Sequence, residues 1–227
     1  MCGRYTLTNV SPEQLADTFS LQDVPIEFLT PRYNIAPTQW MPVVVQDAEG
    51  QNQLVQMRWG LVPSWSKDAK AAARMINARS ETLTEKPSFR EAYKKRRCLV
   101  VADGFYEWKA NAEGPKTPLY IKLKNSGLLG LAGLWERWKE PESGEIWTTC
   151  TIITTTPNDL LKSIHDRMPV ILPREQYGTW LNPKVTNPVE LASLLASYPA
   201  DEMTYYQVSP RVNNARYEAP DLVDPVV

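Results

Sequence analysis

Cys98-Leu99-Val100-Val101-Ala102-Asp103-Gly104-Phe105-Tyr106-Glu107-Trp108-Lys109 is the stretch from which the fold is read. Its first five residues form an uninterrupted apolar run, as in a strand buried on both faces. Asp103-Gly104 reads as a turn. Phe105–Lys109 follows as a second strand, rich in the aromatic residues that suit a pleated surface. Sheet therefore organises this region, and the pattern continues in both directions. Downstream, strands are predicted at Pro118–Leu123, Leu128–Trp138, Ile146–Thr156 and Met203–Ser209, between turns of Gly, Asn, Ser and Glu. Upstream, Met41–Asp47 and Gln53–Leu61 alternate well enough to form a hairpin across Ala48-Glu49-Gly50. Helices are fewer. Ser11-Pro12-Glu13-Gln14 opens one that runs to about Ser20, with Ser11 as cap and Gln14 completing a capping box. Others are predicted around Ser88–Arg96, from Thr156-Pro157 to near His165, and from Asn187-Pro188-Val189-Glu190 through Tyr198. Strands and helices do not alternate regularly, which excludes a doubly wound parallel sheet. The expectation is one α+β domain over residues 1–227, built on a largely antiparallel, barrel-like mixed sheet with irregularly inserted helices.

With 227 residues, 43% of them hydrophobic and 22% charged, the chain can bury one substantial core. No apolar run is long enough to span a bilayer, and Arg4, Thr6, Thr8 and Asn9 leave no cleavable signal pattern, so a cytoplasmic or nucleoid-associated protein with no membrane partner is expected. Cysteines at 2, 98 and 150 give neither a disulfide framework nor zinc spacing. Cys98 and Cys150 fall in apolar runs and read as core residues. With a single histidine as well, no metal and no cofactor is expected. The net charge of −1 is unevenly spread: residues 58–109 hold 12 Lys/Arg against 6 Asp/Glu, and the remainder carries a balance of −7. That asymmetry suits an anionic ligand on one face. The run Lys94-Lys95-Arg96-Arg97 within it reads equally as a solvated helix end favoured by the helix dipole.

Cys2 stands directly behind Met1. Removal of Met1 would leave a free α-amine and a thiol two carbons apart. The amine can condense with an aldehyde, and the thiol can then close on the imine to give a thiazolidine. An α-amine with a pKa of about 7.7–8.0 is partly neutral at physiological pH. The plain alternative is an idle thiol at a frayed terminus. Four further segments carry candidate chemistry. In Ile76-Asn77-Ala78-Arg79-Ser80-Glu81 an amide and a guanidinium share one face if the segment is extended; an ordinary turn or edge strand is the alternative. Glu107 lies among aromatic residues, where burial would raise its pKa, unless its strand turns it to solvent. His165 has the one side chain type with an unperturbed pKa near neutrality, although a lone histidine is often structural. Trp65 ends an aromatic, turn-rich segment from Trp59 inside the basic stretch, suited to base stacking or to packing.

Taken together, the segments resemble one family. Met1-Cys2-Gly3-Arg4-Tyr5, Tyr33-Asn34-Ile35-Ala36-Pro37, Trp59-Gly60 through Trp65, Asn77-Ala78-Arg79-Ser80-Glu81, Ala102 through Trp108 and His165-Asp166-Arg167-Met168-Pro169 occur in the order of the SRAP family, the SOS-response-associated peptidase-like or abasic-site processing proteins. Val208-Ser209 through Val212-Asn213 is similar to the family's C-terminal motif. The resemblance implies a protein, acting as a monomer, that crosslinks to abasic sites in single-stranded DNA near replication junctions, through a thiazolidine on the mature Cys2. It implies Cys2 as nucleophile, Glu107 as proton shuttle, His165 as the group that opens the sugar, and Asn77 as an orienting amide. It implies Arg4, Arg79 and Arg167 as phosphate contacts, with Trp65 and Pro37 on the DNA surface, and possible lyase and Met1-removing activities. Some relatives carry two adjacent tryptophans where this chain has Trp65-Ser66. Three other functions compete: an N-terminal-nucleophile glutamine amidotransferase, a Cys2/His165 peptidase, and a non-catalytic reader of modified DNA bases. The first would need an Asn-Gly oxyanion element, and the chain contains no Asn-Gly.

Overall fold

The computed structural model describes residues 3–226. In chain order its strands and helices are β1 (Tyr5–Leu7), α1 (Pro12–Phe19), β2 (Arg32–Ile35), β3 (Trp40–Gln46), β4 (Asn52–Trp59), β5 (Asn77–Arg79), α2 (Arg90–Lys95), β6 (Arg97–Ala102) and β7 (Gly104–Lys109). There follow β8 (Thr117–Leu123), β9 (Leu129–Lys139), β10 (Ile146–Thr155), β11 (Met168–Pro169), β12 (Ile171–Leu172), α3 (Tyr177–Leu181), α4 (Pro188–Ser193) and β13 (Met203–Gln207).

Five of these strands close into a barrel in the order β3-β4-β10-β9-β6 and back to β3. Closure leaves no unpaired edge around the ring. Four of the five pairings are antiparallel; β4 and β10 run parallel, with Cys150 opposite Trp59. The long strand β10 then runs past the barrel. Its later residues pair with β5 on one edge and β11 on the other. A second, antiparallel sheet, β2-β1-β7-β8-β13, packs Tyr5, Phe105 and Ile121 into the same core as the barrel. The barrel-like, largely antiparallel α+β fold expected from the sequence is the observed one.

Asp103 is the corner where the chain leaves the barrel for the second sheet. The expected turn at Asp103-Gly104 is a crossover, because Gly104 already pairs with Thr6 on β1. The Asp103 carboxylate accepts from Thr6 Oγ1 (2.5 Å), Thr8 N (2.6 Å), Thr8 Oγ1 (2.6 Å) and Asn9 N (2.8 Å). A Cβ at Gly104 would lie 2.2 Å from the Tyr120 hydroxyl, so only glycine fits beside that ring.

The basic run at 94–97 divides. Lys94 and Lys95 are exposed in the last turn of α2, as the helix dipole favours. Arg97 is buried and donates to the carbonyls of Tyr93, Lys94, Trp180, Asn182 and Val185. Cys98 and Cys150 are both buried in the core. Three helix expectations need correction. No helix forms between Thr156 and His165; the chain makes turns there, and Asn158 caps one of them by accepting from Leu161 N at 3.1 Å. Helix α4 stops at Ser193 rather than Tyr198, where the Ser193 hydroxyl bonds back to the Glu190 carbonyl at 2.7 Å. The capping box of α1 is half made: Ser11 Oγ accepts from Gln14 N, but Gln14 Oε1 accepts from the Asn9 amide instead. Among the described residues no helix is long and apolar enough to cross a membrane.

Asp103→Ala would strand the Thr8 and Asn9 backbone N–H groups and the Thr8 hydroxyl at this corner. It should lower unfolding stability by about 3 kcal/mol in urea titrations, with Asp103→Asn costing less.

Candidate active site

Side chains two apart on a strand share a face. On β7, Phe105 belongs to the main core, so Glu107 points to the same side, between the second sheet and the barrel. Only 3% of Glu107 is exposed. Strand β1 lies alongside: Tyr5 pairs with Phe105, and Tyr106 N donates to Arg4 O at 3.0 Å. Continued one step, this register sets Gly3 opposite Glu107. Cys2, the residue before it, lies outside the described residues.

The same end of β1 reaches the barrel. The ring of Tyr5 meets Trp59 edge-on at 5.5 Å, and Trp59 Nε1 donates to the Ile76 carbonyl at 2.8 Å. The next residue is Asn77, the first of β5. That strand is held on the overhanging part of β10, with Asn77 opposite Ile152 and Arg79 opposite Thr154. Ala78 is buried, so Asn77 and Arg79 share the other face; Asn77 is half-buried and Arg79 exposed. Arg79 makes no ion pair among the described residues.

His165 stands in the turns that follow β10. Its Nδ1 is approached by the Arg167 backbone N–H (3.1 Å) and by Asp166 Oδ1 (2.7 Å). One nitrogen cannot accept from the first and donate to the second at once. The neutral ring with a bare Nδ1 takes the Arg167 N–H, and protonation hands that nitrogen to Asp166. Burial lowers the His165 pKa, the Lys116 charge lowers it further, and Asp166 opposes both. For Glu107, burial pushes the carboxyl up to about 7, restrained by the Trp108 N–H and by Lys116. Lys116 is exposed in the loop between β7 and β8. Nothing in the polar loop from Asn111 to Lys116 marks this lysine in the sequence.

Two of the arginines expected to meet phosphate have partners inside the protein. Arg167 grips Glu81 through two bonds, of 2.6 and 2.9 Å, and Thr154 O through a third. This pair lowers the Glu81 pKa and braces the His165 turn against the residues after β5. Arg4 donates to Asn34 Oδ1 (2.9 Å) and Val212 O (2.7 Å), while Trp108 Nε1 reaches Asn213 Oδ1 (2.6 Å). Both interactions fasten the C-terminal motif to β1 and β7. Trp65 is 65% exposed, on a loop steadied by Trp138 Nε1 donating to Ser66 O at 2.7 Å. Gly60 starts that loop with φ +116, and a Cβ there would meet Ala72 O at 2.5 Å. Pro37 is half-buried in the turn between β2 and β3. Among the described residues no group of His, Cys, Asp and Glu is arranged to hold a metal ion.

A closed barrel, an overhanging strand that holds β5 with Asn77 and Arg79, and a second sheet that buries Glu107 thus frame the candidate site. The family model described as SOS response associated peptidase (SRAP) matches residues 1–215. Abasic site processing protein YoqW of Bacillus subtilis (strain 168) is 48% identical over 225 residues, covering 99% of each chain. Abasic site processing protein HMCES of Xenopus tropicalis is 34% identical over 227 residues, covering 87% of this chain and 67% of its own. The crystal structure of a protein from Bacteroides thetaiotaomicron matches with a TM-score of 0.86 at 29% identity, over 100% of both chains. The chain belongs to the SRAP family.

Glu107 makes stability depend on pH. Unfolded, this carboxyl ionises near its ordinary value of 4.5, whereas in the folded protein it keeps its proton to about 7. Between those values the folded state holds the extra proton, so its contribution is fully present below 4.5, falls as pH rises, and levels off above 7. Glu107→Gln should flatten that part of the stability profile, measured by urea unfolding across the window.

Proposed function

We propose that this protein processes abasic sites in single-stranded DNA by crosslinking to them through the mature N-terminal Cys2, shielding the lesion during the DNA-damage (SOS) response. The names of the relatives support the lesion, and the buried Glu107 supports the chemistry. It carries the reading because a carboxyl with a pKa near 7 can both take and return a proton at neutral pH. The register of β1 on β7 favours its acting on the residue next to Gly3.

The reaction begins with loss of Met1, by an aminopeptidase or by the protein's own Cys2, which frees the α-amine. Glu107 takes a proton from the α-ammonium. An abasic sugar is mostly a closed hemiacetal, so neutral His165 removes the C1′ hydroxyl proton as the bond from C1′ to the ring oxygen breaks, and returns that proton to the ring oxygen, leaving the aldehyde and a free hydroxyl. The amine adds to the aldehyde carbon, and Glu107 returns its proton as the carbinolamine expels water. The Cys2 sulfur then adds to the imine carbon, the thiol proton passes to nitrogen, and the thiazolidine is closed with no further loss of atoms. Tethering makes this last step fast, since intramolecular closures reach effective molarities of about 10⁵–10⁸ M. Diversion of the imine to β-elimination is the lyase branch.

Asn77 orients the sugar or Cys2, exposed Arg79 meets a phosphate, and Trp65 with Pro37 meets the bases. Arg4 and Arg167, given their internal partners, act mainly by holding the C-terminal motif and the His165 turn in place. The protein works as a monomer at replication junctions, with DNA as its partner and the nucleoid as its place of action.

Incubation with an abasic single-stranded oligonucleotide, followed by intact mass, tests the reading. The expected adduct has the mass of the protein without Met1 plus the DNA minus one water, and undamaged DNA gives none. An equally efficient adduct from a protein with a blocked N-terminus would overturn the thiazolidine mechanism.

His165→Ala separates ring opening from capture. It should slow adduct formation with abasic DNA by about 10²-fold, the usual scale of general acid–base catalysis, and leave reaction with a small preformed aldehyde nearly unchanged. Equal slowing of both would reassign His165 to organisation of the site.

A further inference from the structure

A groove of about 280 Å³ runs between helix α2 and the segment that leads into α4. Its floor is apolar: Tyr93 and Leu191 line it and are themselves 4% and 2% exposed. Pro183 and Pro188 form one wall. The other side is α2, which supplies Arg90, Lys94 and Lys95, and no acidic side chain lines the groove. Lys94 is partly neutralised by Glu91 at 3.3 Å. Arg90 and Lys95 are exposed and make no ion pair among the described residues. The arrangement does not suit single-stranded DNA, which stacks its bases on open aromatic faces. The one aromatic ring here is buried and packed against Trp180.

We propose that this groove docks an acidic segment of a partner protein, a peptide with carboxylates beside a bulky apolar side chain. The apolar side chain enters between the prolines to cover Tyr93 and Leu191, and the carboxylates meet Arg90 and Lys95. Burial of one large side chain supplies most of the affinity, while the rim charges select the partner and speed encounter. The groove is also well placed to bring that partner to DNA. The chain passes from exposed Arg79 to Thr84, which lines the groove, within one short segment. The inference stands on the groove's own chemistry, independently of the reaction assigned to Cys2.

Fluorescence anisotropy with a labelled peptide, a run of aspartates ending in leucine and phenylalanine, tests it. Saturable binding to the wild-type protein is expected. The double variant R90E/K95E should weaken it about 10-fold, from two lost attractions replaced by two repulsions of the exposed-pair scale. Thr186→Trp, which fills the groove without changing charge, should weaken it as well. Replacing the terminal leucine and phenylalanine by alanines, or the aspartates by lysines, should cost at least as much. Both protein variants should keep the wild-type melting profile and crosslink abasic DNA at the wild-type rate. Absence of saturable binding, or equal binding by R90E/K95E, would overturn the proposal. So would displacement of the peptide by an undamaged single-stranded oligonucleotide together with lost DNA affinity in R90E/K95E, which would assign the groove to nucleic acid.

Discussion

The backbone pairing of β10 is the constraint on which the rest of the structure depends. Within one strand it meets β9 and β4 where the barrel closes, then exchanges β4 for β5 and β9 for β11. Backbone donors and acceptors buried in a protein must find partners, so a strand that outruns its barrel must recruit new neighbours. Those neighbours bring in the candidate site residues. Asn77 and Arg79 arrive as one edge, and the His165 turn is drawn in between β10 and the other. The ion pair of Arg167 with Glu81 then ties the two sides together beyond the last ladder bond.

The second sheet meets this overhang from across the core, and its position follows from the Asp103 corner. Four hydrogen bonds fix where β1 leaves the barrel's neighbourhood, and β1 in turn fixes the register on β7. Glu107 is consequently buried by the meeting of two sheets rather than by a local hydrophobic cluster. Its raised pKa is a product of tertiary structure. A carboxyl on the same strand facing solvent would keep its ordinary value.

Much of this was legible in residues 98–109. The apolar run before Asp103 and the aromatic run after it are the two central strands, and the spacing of turns beyond them located β8, β9, β10 and β13. The spacing of Asn77 and Arg79 put both side chains on one face only if the segment was extended, and it is the pairing with β10 that makes it so. What escaped notice was short or held by partners distant in sequence. Strands β1 and β2 have three and four residues and take their stability from sheet neighbours. Helix α3, five residues from Tyr177, is held by Arg97 bonding to the Trp180 carbonyl. The helix expected before His165 failed because Asn158 binds the backbone locally, which favours turns over continued helix.

The order in which the parts of the site occur along the chain has a consequence for its biosynthesis. Strand β1 leaves the ribosome well before its neighbour β7, and β4 well before β10. The barrel cannot close until β10 has been made and has found β4, some ninety positions earlier in the chain; such distant pairings form slowly. The closing ladder of the barrel, and the β5 and β11 pairings beyond it, therefore form only once most of the chain has been made. The burial of Glu107, which needs both sheets in place, is likewise a property of the finished fold and not of a nascent chain.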